Sequence, residues 1–203
     1  MKILRYPVLA LICATILLSC KKDSSSPHSK FPYYFTGTVN NKAVKYECND
    51  IDSKYGCAFE THGHGLYPEW DWYEGTEMYN QDDRYVSAIY VDILRWFPSY
   101  PDDNDRLVTW KLGDYPYGVS RLDSGKATTN GAVVALYDEN GVFWQTETGP
   151  QTGSTFRVTE LISNETGTSL KIFTANFNCT LYNENGQSMK IQNGVIRGKL
   201  YMP

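Results

Sequence analysis

Three stretches of this chain gather residue types that bind or transform ligands. The segment from Leu66 to Tyr79, LYPEWDWYEGTEMY, interleaves aromatic rings with carboxylates. Trp and Tyr faces stack on apolar surfaces such as those of sugar rings, and carboxylates beside them accept hydrogen bonds from hydroxyls. Trp70 and Trp72 stand two apart, so an extended backbone projects both to one side as a platform. Tyr73 extends the aromatic run, and Asp71 and Glu74 are the acceptors beside it. The competing reading is a long loop that packs these rings across the open end of a β fold.

The other two stretches suit cations. His62-Gly63-His64 puts two imidazoles on one side of an extended segment, with Glu60, Glu69 and Asp71 nearby. Zinc or copper takes such ligands, yet the same residues fit a glycine-rich loop with solvated histidines, so no metal is assigned. Asp102-Asp103-Asn104-Asp105 concentrates hard oxygen donors but lacks the spacing of a twelve-residue calcium loop. It reads as a solvated turn after Pro98 and Pro101.

Catalytic signatures are missing. The chain has no Gly-x-Ser-x-Gly, no His-Glu-x-x-His and no Cys-x-x-Cys, and Gly125-Lys126 is followed by alanine without the upstream glycine of a phosphate loop. With only His62 and His64 beyond His28, little material exists for a histidine-based triad. No catalytic residue and no cofactor is implied, and nothing argues for an enzyme.

The elements that must position these groups are strands. Period-two patterns dominate and no helical stripe appears. Tyr33 to Val39 and Lys42 to Cys48 flank Asn40-Asn41 as a hairpin. Arg84 to Leu94, apolar on both faces and β-branched, reads as a central strand. Gly131 to Tyr137 and Val142 to Glu147 flank Asp138-Glu139-Asn140-Gly141, where Asn-Gly accepts positive φ. Thr155 to Ile162, Leu170 to Tyr182 and Met189 to Tyr201 form a second meander, turning at 164–167 and at 183–186. In the last run Met189 and Ile191 share one parity and Ile196 and Leu200 the other, which predicts a bulge at Asn193-Gly194. The expected fold is all-β: an antiparallel β-sandwich or lipocalin-like barrel in a single domain over residues 32–203.

Composition narrows the partners. The net charge is −4 without a basic cluster, so nucleic acid is an unfavourable partner. Sixteen tyrosines, eight phenylalanines and five tryptophans suit strands and β cores as well as binding faces. Cys48 and Cys57 are close enough in sequence to clip one loop as a disulfide, while the alternation around Cys179 turns it toward the core.

The N-terminus speaks of location. Lys2 and Arg5 precede an apolar core from Val8 to Leu18, too short to span a bilayer and of secretory length. Leu17-Leu18-Ser19-Cys20 resembles a bacterial lipobox, which implies a signal peptide over 1–19 and a Cys20 that is acylated and anchored in the lipid bilayer. Residues 20–31, polar and serine-rich, then form a flexible tether. Ser19-Cys20-Lys21-Lys22-Asp23 is similar to the start of lipoproteins of the Bacteroidetes type, and the lysine after the cysteine implies delivery to the outer membrane. The opening FTGTVNNK (35–42) and the closing IQNGVIRGKL (191–200) resemble small β-rich lipoproteins of that group. That likeness implies a sandwich or lipocalin-like barrel and carries over no functional residue but Cys20.

Together these readings favour an outer-membrane-anchored, non-enzymatic binding or interaction module for a glycan or an envelope protein. A carboxylate-based hydrolase and a structural subunit of an envelope complex are the alternatives. Convergence of two carboxyls in a cleft would favour the hydrolase, and a large flat apolar patch the structural subunit.

Overall fold

The structure, a computed structural model, describes residues 32–48, 54–66, 68–107, 110–163 and 170–201. Cys20, the signal peptide, the tether and the turn at 164–167 lie outside these residues. The chain is all-β. Among the described residues its eleven strands are β1 (Tyr33–Val39), β2 (Lys42–Cys48), β3 (Tyr55–Leu66), β4 (Glu69–Asn80), β5 (Ala88–Phe97), β6 (Gly113–Tyr115), β7 (Gly131–Tyr137), β8 (Phe143–Gln145), β9 (Thr155–Ser163), β10 (Leu170–Tyr182) and β11 (Ser188–Tyr201). They form one sheet in the order β2-β1-β11-β10-β8-β7-β5-β4-β3, with β9 and then β6 added on β10. All these strand pairs are antiparallel. The sheet curls into a half-barrel. Its far strands meet where Lys199 N donates to Thr76 Oγ1 at 3.2 Å and Gly198 leaves room for the Thr76 side chain.

Turn chemistry sets the hairpins. Asn40 and Asn41 take φ of 50° and 67°, the mirror-image turn whose twist matches two strands. At Asp138–Gly141 the Asp138 carboxylate accepts from the backbone of Asn140 and Val142, and Gly141 takes φ 75°. The predicted bulge is present: Asn193 has φ 51°, its N–H donates to Asn178 Oδ1, and the β10–β11 register shifts between Phe177 and Cys179. That extra residue lets Met189, Ile191, Ile196 and Leu200 all turn inward.

Two segments differ from expectation. The central strand runs Ala88–Phe97 rather than Arg84–Leu94. The Asp83 carboxylate accepts from Tyr85 N and the Asp83 carbonyl from Val86 N, so 83–86 turn locally instead of joining the ladder. Second, the stretch with a loop as its competing reading is a hairpin of two twelve-residue strands, β3 and β4. Gly63 and Gly65 belong to it because a Cβ at Gly63 would meet the Trp72 ring at 2.5 Å and one at Gly65 the Glu69 carbonyl at 2.4 Å.

Alternation then sorts side chains onto two faces. The inner face holds the main core, including Met78, Ile89, Val91, Ile93, Val134, Phe156, Phe173, Phe177 and Ile196. Phe177 is its pivot, stacked 6.1 Å from Phe35 and 5.8 Å from Phe156. A smaller apolar cluster, Tyr73, Leu94 and Val133, lies on the outer face of β4, β5 and β7.

Candidate functional site

The outer face of β3, β4, β5 and β7 carries a second layer because residues 116–130 cross over it. Gly118 N donates to Ala132 O and Ala132 N to Pro116 O, which hold this segment beside β7. Short helix α2 (Arg121–Ser124; α1 is Asp103–Leu107) is capped by Ser120, whose Oγ accepts from Leu122 N at 3.0 Å. Three carboxylates bind the strap down. Asp71 accepts from Ser120 Oγ and Thr128 Oγ1, both at 2.6 Å. Glu147 Oε1 accepts from Ser120 N at 2.9 Å and Tyr73 Oη at 3.1 Å. Glu69 pairs with the Arg121 guanidinium.

Between strap and sheet lies a cavity of about 440 Å³, within the size range of small-molecule sites. Tyr73, Tyr90, Tyr137 and Phe143 supply rings, and Glu60, Asp92 and Glu147 supply carboxyl groups. His62 and His64 stand at its edge: His62 stacks on Tyr73 at 4.6 Å, with its Nδ1 3.3 Å from Glu60 Oε1. No lysine or arginine is among the described lining residues.

Asp92 is the unusual member. It sits in the middle of β5, is 4% exposed, and its Oδ1 has no hydrogen-bond partner among the described residues. It faces Gly75 of β4, where a Cβ would come within 2.4 Å of that oxygen. Burial raises its pKa well above the usual carboxylate range, and Glu60, Glu147, Glu77 and Glu74 push in the same direction. Of these, Glu77 has its own cation, Arg84, and also accepts from Tyr90 Oη at 3.1 Å.

The residues singled out in the sequence divide between the faces. Trp70 and Trp72 do share a side, the inner one, and Tyr100 meets both rings edge-on at 5.3 and 5.5 Å. Trp72 is buried and Trp70 half-buried. Glu74 shares their face, buried, and its carbonyl accepts from Trp110 Nε1. Asp71 and Tyr73 point the opposite way, Asp71 into the strap and Tyr73 into the cavity wall. The five therefore do not meet in one site. His62 and His64 do come together, and they join Tyr73.

Among the described residues no group of three or more His, Cys, Asp or Glu side chains is placed to hold a metal ion. The Asp102–Asp105 cluster is a helix cap: Asp102 Oδ1 accepts from Asn104 N and Asp105 N, and Asp105 Oδ2 accepts from Asp102 N. Cys48, Cys57 and Cys179 are thiols. The Cys57 thiol is lowered, first by hydrogen bonding with Cys48, so these two sulfurs are neighbours. Cys179 is buried, which pushes its thiol up to about 12.

Asp92, Glu147, Tyr90 and Tyr137 escaped the sequence reading. One signal was present, a lone acid inside the apolar run AIYVDIL, since a charge is rarely buried in a central strand without a purpose. Compared with known proteins, the chain matches no family model, no curated protein and no solved structure.

Proposed function

We propose that this chain is an envelope lipoprotein, held on the outer membrane through acylated Cys20, whose β domain binds a small polar ligand of the glycan class. The binding site is the cavity under the 116–130 strap. One observation supports this reading above others: a cavity of about 440 Å³ that sets carboxyl groups among aromatic rings. Rings stack on the apolar faces of a sugar while carboxyl groups beside them accept hydrogen bonds from its hydroxyls. A glycan-array screen of the full chain, followed by titration against Tyr137→Ala, tests it. The variant should lose about thirtyfold in affinity for any hit, the loss usual for a binding hot spot. Unchanged affinity would place the ligand elsewhere.

A carboxylate-based hydrolase is the second reading, and it too has an observation behind it. Asp92, whose pKa burial raises, and Glu147, held as an acceptor by Tyr73 and Ser120, share one cavity. Glycosidases divide acid and base roles between two such carboxyls. Release of new reducing ends from a bound glycan, lost in Asp92→Asn, would establish hydrolysis; a ligand recovered intact would establish binding alone.

A further inference from the structure

The two ends of the sheet meet without a ladder. β2 and β3 are consecutive in the chain yet stand at opposite ends of the strand order, and among the described residues no backbone pairing joins them. Side chains cross the gap instead. The rings of Tyr46 (β2) and Tyr55 (β3) stack at 4.4 Å, with 27° between their planes. Two residues further along each strand come Cys48 and Cys57, on the same inner face by the period of two and hydrogen-bonded to each other. Cys48 is fully buried and Cys57 half-buried. Cys57 Sγ also lies 3.6 Å from Thr76 Oγ1, the hydroxyl that accepts from Lys199 N where β11 reaches β4. Cys179 belongs to β10, inside the strand order, and is buried there.

We propose that Cys48 and Cys57 form a redox-active dithiol whose oxidation latches the two ends of the sheet together. The latch does not depend on what the cavity binds. Cys57 is the attacking thiol, since it is the more exposed of the two. Its thiol is also lowered, first by hydrogen bonding with Cys48 and then by Thr76 and Lys199, against the opposite pull of burial. The oxidant is a small disulfide. Its sulfur–sulfur bond breaks as Cys57 Sγ bonds to one sulfur, and the other sulfur leaves as a thiol that carries off the Cys57 proton. Cys48 Sγ then attacks Cys57 Sγ in the mixed disulfide and expels the second thiol with the Cys48 proton. Two thiols of the chain are thereby oxidised to one disulfide, and the small disulfide is reduced to two thiols. The new bond stands where the ladder is missing. It ties β2 to the strand that brings Glu60, His62 and His64 to the cavity.

The test treats the reduced full chain with excess oxidised glutathione and maps its peptides without reduction. A Cys48–Cys57 bond should form and dithiothreitol should reverse it, with Cys179 a thiol throughout. Amide hydrogen exchange should slow across β2 and the Tyr55–Phe59 end of β3 on oxidation, and recover on reduction. The order of attack is read first on the unaltered protein, where substoichiometric N-ethylmaleimide should label Cys57 ahead of Cys48 and Cys179. In Cys48→Ser, glutathione should stay trapped on Cys57; in Cys57→Ser, Cys48 should stay a thiol. If Cys48, Cys57 and Cys179 all survive the treatment as thiols, or if Cys179 is bridged, the dithiol is overturned. A Cys48–Cys57 bond that leaves exchange in β2 and β3 unchanged overturns the latch, and labelling of Cys48 first overturns the order of attack.

Discussion

Replacing Trp72 separates packing from binding more sharply than any other change to this chain. Its indole is 94% withdrawn from solvent, lies over Gly63 and meets Tyr100 edge-on. Truncating a buried tryptophan or phenylalanine to alanine costs about 3–5 kcal/mol, the spread reflecting how far the surroundings collapse. Collapse is easier here than in the Phe177 core, because Tyr100 is 65% exposed and Trp70 only half-buried. The low end applies, about 3 kcal/mol. For a domain of this size, each 1 kcal/mol lowers Tm by about 2–4 °C, so Trp72→Ala should melt roughly 6–12 °C lower. Trp70→Ala, at a less deeply buried position, should lose less. Neither should change affinity at the cavity, since β4 projects Trp70 and Trp72 away from Tyr73. Calorimetric melting and ligand titration on the same preparations decide the matter. A Trp72→Ala variant with unchanged Tm and about thirtyfold weaker glycan binding would refute this reasoning and restore the tryptophan platform as the site.

The remaining predictions concern charge, sulfur and the anchor. Asp92 holds its proton more tightly folded than unfolded, so stability should fall as pH rises from about 4 through its raised native range and then level off. Urea unfolding against pH should show that fall in the parent and not in Asp92→Asn, which should be the more stable at neutral pH; equal stabilities there would contradict it. Oxidation should join Cys48 to Cys57, whose thiols already neighbour one another, adding about 2.7 kcal/mol for a ten-residue loop in the chain-entropy description. Non-reducing peptide mapping that found Cys179 bridged instead would overturn this pairing. Cys20→Ala should abolish acyl labelling and release the chain from membranes, and persistence of either would remove the lipobox reading.

Much of the fold was legible because its information is local. Asn40, Asn41 and Gly141 announce their turns because these residue types tolerate positive φ, and β7 and β10 have the bounds their alternation predicts. Even the bulge at Asn193 is local, since two parities within one apolar run require one inserted residue. Legibility fails where a distant residue decides. Gly63 and Gly65 resemble loop punctuation until Trp72 and Trp70 are set opposite them. Asp83 outcompetes the ladder for its neighbours' N–H groups, which removes four residues from a strand that apolar patterning extends to Arg84.

The site was less legible than the fold for a related reason. Its walls come from β3, β4, β5, β7 and the chain beyond β8, and only strand order brings Glu60, Asp92 and Glu147 to one cavity. Alternation did contain half of the answer. Residues 70, 72 and 74 must oppose 71 and 73 wherever this segment is a strand, so a single site including Trp72 and Tyr73 already strains the period of two. What alternation could not supply is which face stays open. The inner face fills because the half-barrel closes on Phe35, Phe156 and Phe177. The outer face is covered by a strap whose hydrogen bonds go to Asp71 and Glu147, and this polar attachment leaves Asp92 buried but unmatched. An apolar lid would have filled the space over Tyr73, Leu94 and Val133. A strap tied down through carboxylates keeps a cavity there, so the same interactions that hold the segment also line the space with acids.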